Sequence, residues 1–215
     1  MKRETPRGVV WSRTALFVAA VVWVVLVGAG IRVAVAYETT RGARGDAPER
    51  WPADSGLSLA AGRYTLVMFV HPRCPCSRAS LAGLDVVMKA QGERASAVVA
   101  FMHPGGEPAD WGDTDTWDQA GRIPGTTRFA DVDGREATRF GARTSGHTVL
   151  YDPTGHLVFS GGLTDSRGHA GDSVGRQTLL GLLTDGTLAR PTTAVFGCPL
   201  EDSMAEATTA RGARP

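Results

Sequence analysis

Apolar and polar positions along the chain fall into three regimes. Between Arg13 and Arg32 runs an uncharged stretch of 18 residues, TALFVAAVVWVVLVGAGI, with no polar face. A core helix of a globular domain carries an apolar stripe opposite a polar one, so this pattern predicts instead a helix apolar all round and long enough to span a bilayer. From Glu38 to Ser55 the chain is polar and rich in Gly, Pro and Arg (ETTRGARGDAPERWPADS), the composition of a flexible linker or a loosely packed lead-in. Beyond it, short apolar runs alternate with segments of helical periodicity. Tyr64–Val70 and Ala97–Met102 read as buried strands, Thr127–Val132 as a weaker one, and His147–Tyr151 with Leu157–Ser160 as two strands joined by the turn Asp152-Pro153-Thr154-Gly155. Cys76–Ala90 sets Leu81, Leu84, Val87 and Met88 at helical spacing. Short helices are predicted around Thr114–Ala120 and Arg135–Phe140, and a last one, capped by Asp172 or Ser173, runs through Leu183 to a stop at Asp185-Gly186. Strand and helix in alternation predict an α/β layer structure.

One stretch asks for chemistry. In VMFVHPRCPCSRASL, from Val67 to Leu81, an apolar strand ends at His71-Pro72 and two cysteines follow, one residue apart. Pro75 lacks an N–H and has its φ preset for the first helical position, which predicts a helix starting there with Cys74 at the N-cap and Cys76 in the first turn. Unpaired N–H groups and the helix dipole at that end favour a thiolate over a thiol, giving a nucleophile or a metal ligand. Inert core cysteines are the bland alternative. A pair at a helix start, flanked by Arg73 and Arg78, fits that alternative poorly.

Strand, cysteine pair with proline before the second cysteine, and amphipathic helix resemble the thioredoxin fold, and the element order from Tyr64 to Leu183 extends the resemblance. The usual motif has two residues between its cysteines; here there is only Pro75, and Arg73 stands where the nucleophile would be if the Pro-Cys pairs are matched. A Cys74–Cys76 disulfide would close a small, strained and easily reduced ring. The fold carries a cis-proline at the entrance to its hairpin, and in Ser145-Gly146-His147-Thr148 the residue in its place reads as His147. Sco-type copper proteins, which are anchored thioredoxin folds, also put a histidine there. By HPRCPCSRAS, SRGHAGD and FGCPL together the chain resembles the RedB-type thioredoxin-like proteins. The family's buried acid has no counterpart in Leu66, Val67 or Met68, so an imidazole such as His147 would have to manage the proton.

The resemblance implies thiol–disulfide exchange with protein thiols or disulfides and no required cofactor; Cys74 is the expected attacking thiolate because an N-cap sulfur is the more accessible, with Cys76 resolving and His147 assisting. An alternative is a copper site of Cys74, Cys76 and His147, since two thiolates and an imidazole suit copper better than a hard cation; a non-catalytic interaction module is a third. Arg73, and Arg167 and His169 in the glycine-rich connector after the hairpin, are candidates for substrate binding. Cys198, an odd cysteine, reads as a lone buried or free cysteine or as a third thiol; the twelve residues from Thr187 to Cys198, extended, can span roughly 40 Å and return it to the site. His71, His103 and His156 read as surface or turn residues.

Composition adds limits. A formal net charge of +1 without a basic stripe argues against nucleic acid as partner, and three cysteines are too few for a disulfide scaffold. Lys2, Arg3, Arg7 and Arg13 precede the apolar span and place the N-terminus in the cytoplasm. Ala34-Val35-Ala36 offers a processing site, but the run exceeds a normal signal region, which favours an uncleaved single-pass anchor in the cell membrane. The expected organisation is a cytoplasmic segment 1–13, a transmembrane anchor 14–36, a linker 37–55, an extracytoplasmic thioredoxin-like domain 56–200 and a flexible tail 201–215.

Overall fold

The structure, a computed structural model, describes residues 12–186 and 192–200. Lys2, Arg3 and Arg7, on which the expected orientation rests, and the tail 201–215 lie outside the described residues. The N-terminal unit contains helix α1, Arg13–Thr39, 27 residues long with a mean hydropathy of 2.5 over its most apolar window and no buried side chain. It is long and apolar enough to cross a membrane.

The second unit starts at Glu38 and holds all the remaining elements. In chain order these are β1 (Tyr64–Val70), α2 (Pro75–Gln91), β2 (Ala95–His103), a 3-10 turn (Ala109–Gly112), α3 (Asp115–Gly121), β3 (Thr126–Val132), α4 (Arg135–Arg139), β4 (His147–Tyr151), β5 (Leu157–Gly161) and α5 (Val174–Asp185). The sheet order is β3-β2-β1-β4-β5. β1, β2 and β3 run parallel, and β4 is antiparallel to both β1 and β5. This is the thioredoxin-like arrangement, a central mixed sheet with flanking helices. β1 lies in the middle and is covered on both faces, which is why it reads as a continuous apolar run rather than an alternation. Leu66, Met68 and Val70 meet Leu81 and Leu84 of α2 and Leu179 of α5. Val67 and Phe69 face the other way, towards Phe140, Val149 and Tyr151.

Of the two caps considered for α5, Ser173 serves: its hydroxyl accepts the Arg176 N–H, and Gly186, in the left-handed region at φ 69°, closes the other end. The buried Asp131 carboxylate accepts the N–H groups of Glu136 and Ala137 at 2.8 and 2.9 Å, fixing the short α4.

Of the two readings of the polar stretch, linker and lead-in, residues 42–55 fit the lead-in, since they dock on the domain. Trp51 packs edge-on against Phe140 and Tyr151, with ring centroids 4.9 and 5.2 Å apart. The Tyr151 hydroxyl donates to the Pro48 carbonyl at 2.8 Å. The Trp51 N–H reaches Gly155 O at 2.8 Å, and the Leu157 N–H reaches Glu49 O at 2.9 Å. Composition misleads here because much of the anchoring is done by backbone groups and Trp51, with Ser55 Oγ donating to Glu136 at 2.6 Å and Arg139 donating to Asp54 at 2.9 Å. The C-terminal segment 192–200 is attached in the same way. Thr192 bridges Ser160, Pro199 bridges Thr144, and the Gly42 N–H bonds the Val195 carbonyl at 2.9 Å.

Candidate active site

The site lies at the C-terminal end of β1, where the chain turns into α2 while its sheet neighbours β2 and β4 run on either side, the place where open α/β sheets form their crevice. His71-Pro72 breaks the strand, and a tight turn follows in which the Cys74 N–H donates to His71 O at 3.1 Å. Cys74 then takes an extended N-cap conformation (φ −83°, ψ 121°) and Pro75 opens the helix. A layer of hydroxyls braces this turn from behind. Ser77 Oγ donates to His71 O and pairs with Ser145 Oγ, both at 2.9 Å. Ser145 Oγ also accepts the His71 N–H at 3.0 Å, and Thr116 Oγ1 donates to Pro72 O at 2.8 Å.

Three thiols meet here. Cys74 Sγ lies 2.8 Å from Cys198 Sγ, and Cys76 stands two residues further on in the first turn of α2. All three cysteines are free. Cys74 and Cys76 are only 4% and 7% exposed, and Cys198 is half-buried. The contact with Cys198, together with the peptide N–H groups of Cys198, Cys76 and Ser77, draws the Cys74 thiol down to about 5 against the opposing effect of burial. The Cys76 and Ser77 N–H groups favour the ionised sulfur without closing a formal cap bond. Cys198 moves the other way, chiefly because it holds its proton towards the Cys74 sulfur and then because it is buried. Cys76 is also pushed up, first by burial and then by the charge on Cys74, with Arg167 and the Gly168 N–H opposing. One sulfur is thus an acid thiol and two remain protonated, which is the distribution needed for a nucleophile with resolving partners.

The proposed N-cap role of Cys74 and the first-turn place of Cys76 match the geometry. His147 does not join them. It stands opposite Phe69 in the β1–β4 ladder, and alternation puts its side chain with Val149 and Tyr151 on the face away from α2. Its Nε2 pairs with Ser160 Oγ at 2.8 Å, burial lowers its pKa to about 4, and its Nδ1 has no partner. The ring borders a cavity of about 650 Å³ lined by residues such as Arg44, Asp46 and Thr193. The three residues expected to hold copper do not form one group: His147 Nε2 pairs with Ser160, while Cys74 and Cys76 stand at the head of α2. Among the described residues no group of three or more His, Cys, Asp or Glu is placed to hold a metal ion. The backbone that does approach α2 at the hairpin entrance is Ser145-Gly146, with the Gly146 N–H on Phe69 O at 2.7 Å and no room for a Cβ against Ser80.

An imidazole is nevertheless close by. His71, left aside as a turn residue, lies within electrostatic reach of Cys74; burial lowers its pKa, and its Nδ1 accepts the Arg73 N–H at 3.1 Å. Its position three residues before the first cysteine was the available signal. Arg73 is exposed with its guanidinium 4.4 Å over the Trp111 ring, which also meets His71 edge-on. Trp111 was missed as well, since its stretch shows no periodicity. Arg167 does rim the thiols, but its guanidinium donates to the carbonyls of Thr40 and Gly197, so it holds the chain beside Cys198. His169 is exposed and folds over Gly171.

No protein-family model matches the chain, and no curated protein sequence matches it. Among solved structures, a hypothetical protein from Sinorhizobium meliloti aligns over 75% of this chain and 94% of its own at 20% identity with a TM-score of 0.54. An uncharacterised conserved protein from Geobacillus kaustophilus aligns over 75% and 92% at 18% identity with a TM-score of 0.52. Both share this chain's fold, which is thioredoxin-like by its sheet order and flanking helices.

Proposed function

We propose that this protein is a membrane-anchored thiol–disulfide oxidoreductase working outside the cytoplasm, with Cys74 as the attacking thiolate and protein thiols or disulfides as partners. The observation that carries this reading is the Cys74 sulfur at the head of α2, in contact with a second thiol. A thiolate attacks one sulfur of a disulfide, and an adjacent thiol then releases the mixed disulfide. The cysteines carry the two electrons themselves, so the cycle needs no further cofactor. His71 is the imidazole available for the proton, and Arg73 with Trp111 forms a cationic and aromatic lip on the rim where a partner would arrive.

Equilibration with mixtures of reduced and oxidised glutathione tests the chemistry. Two free thiols are expected to disappear and return together as one reversible two-electron couple. Thiols that remain reduced across the whole range, or oxidise only irreversibly, would remove the oxidoreductase reading. The location rests on α1 and on the basic residues before it. A reporter fused after Gly56 should be exported and stay with the membrane; a cytoplasmic reporter, or one released in soluble form, contradicts the anchor.

A further inference from the structure

We infer that the working redox couple is Cys74 with Cys198, the segment Thr192–Leu200 supplying the resolving thiol while Cys76 stays reduced beside them. The inference rests on the reading of Cys74 as the exchange nucleophile and replaces Cys76 in the resolving role.

Geometry favours Cys198 for two reasons. Cys76 is fixed in the first turn of α2 behind Pro75, and positions two apart along a helix do not face each other, so closing Cys74 onto Cys76 means distorting the helix start. Cys198 arrives from a separate segment under no such constraint and already stands 2.8 Å from Cys74. The segment is also built to hold it there. The Ser145 N–H donates to Cys198 O at 2.8 Å, the Leu200 N–H donates to Arg143 O at 2.9 Å, and Pro199 bridges Thr144. Arg167 donates to the carbonyl of Gly197. Gly197 admits no side chain, because a Cβ there would strike the Ser145 carbonyl. Val195, Phe196 and Leu200 are buried, so the segment is packed as well as hydrogen-bonded. Four consecutive residues are thus anchored around one sulfur.

The chemistry follows in two balanced steps. The Cys74 thiolate attacks one sulfur of a partner disulfide; the other partner sulfur leaves as a thiolate and takes up a proton. Cys198 then loses its proton and attacks Cys74 Sγ, forming the Cys74–Cys198 bond and expelling the second partner thiolate, which is protonated in turn. The protein dithiol is oxidised by two electrons and the partner disulfide is reduced by two; the reverse sequence oxidises a partner dithiol. The order is enforced by charge. While Cys74 is ionised it holds the Cys198 proton in place, and once Cys74 carries the partner that negative charge is gone and Cys198 is free to ionise.

The test uses the full-length chain. Oxidised with excess oxidised glutathione, blocked with an alkylating agent and digested with trypsin, it should yield the Cys74–Arg78 peptide joined through Cys74 to the peptide carrying Cys198, with Cys76 alkylated. A Cys74–Cys76 or Cys76–Cys198 bond would overturn the inference while leaving thiol exchange intact. Three alkylated cysteines would overturn both. In a second measurement, Cys198→Ser should prolong the mixed disulfide on Cys74 by at least about tenfold, whereas Cys76→Ser should release it at the wild-type rate; the opposite pattern restores Cys76 as the resolving thiol.

Discussion

Replacing Cys74 with serine is expected to reduce disulfide exchange to the uncatalysed background, and wild-type Cys74 is expected to titrate in alkylation assays with a midpoint of about 5. At pH 7 such a thiol is almost wholly ionised, whereas one near 8.5 is ionised to only a few per cent, a gain of roughly 30-fold in thiolate. Lower basicity costs nucleophilicity by a similar factor at a Brønsted slope of about 0.4–0.5, so attack at neutral pH is hardly faster. The advantage appears elsewhere. Cys74 should keep most of its reactivity down to about pH 6, where an ordinary thiol is protonated, and as the better leaving group it should make disulfides formed on it quick to break. The contact with Cys198 is the largest contribution to this acidity, so Cys198→Ala, which removes the donor, should shift the midpoint upwards. A wild-type midpoint near 8.5 would show that the helix start and Cys198 do not stabilise the thiolate.

A chain beginning at Gly56, the domain start that composition indicates, is expected to be severely destabilised relative to one beginning at Glu38. It lacks Trp51, whose ring packs against Phe140 and Tyr151, and the Pro48 carbonyl that accepts the Tyr151 hydroxyl. Losing a large aromatic from such a cluster costs about 3 kcal/mol and a lost hydrogen bond about 1 kcal/mol more. Against domain stabilities of about 5–15 kcal/mol, that loss is between roughly a quarter and four fifths of the total. Urea unfolding of the two chains measures the difference, and Trp51→Ala in the longer chain should reproduce most of it. Equal midpoints would mean that the lead-in contributes nothing to the fold.

Much of this was visible along the chain. The apolar run of β1, the Pro75 helix start and the Ser173 and Gly186 boundaries of α5 are local features whose backbone requirements are written in neighbouring residues, and they sufficed to place Cys74 at a helix head. The histidine was harder. His147 sits at the expected strand start, but its side of the sheet depends on pairing with Phe69, and one step of register decides whether it faces the cysteines or the opposite core. The lead-in and the C-terminal segment were less legible still. Residues 42–51 and 192–200 combine a few packed side chains such as Trp51, Phe196 and Leu200 with many bonds from peptide N–H and C=O groups, which every sequence possesses, so composition carries little sign of where they dock. The layer architecture and the place of Cys74 at a helix head follow from periodicity and local turn chemistry, so they are legible along the chain. Which thiol stands beside Cys74 is set by the fold, because Cys198 is 124 residues away along the chain and is brought to it by contacts with Ser145, Thr144 and Arg167.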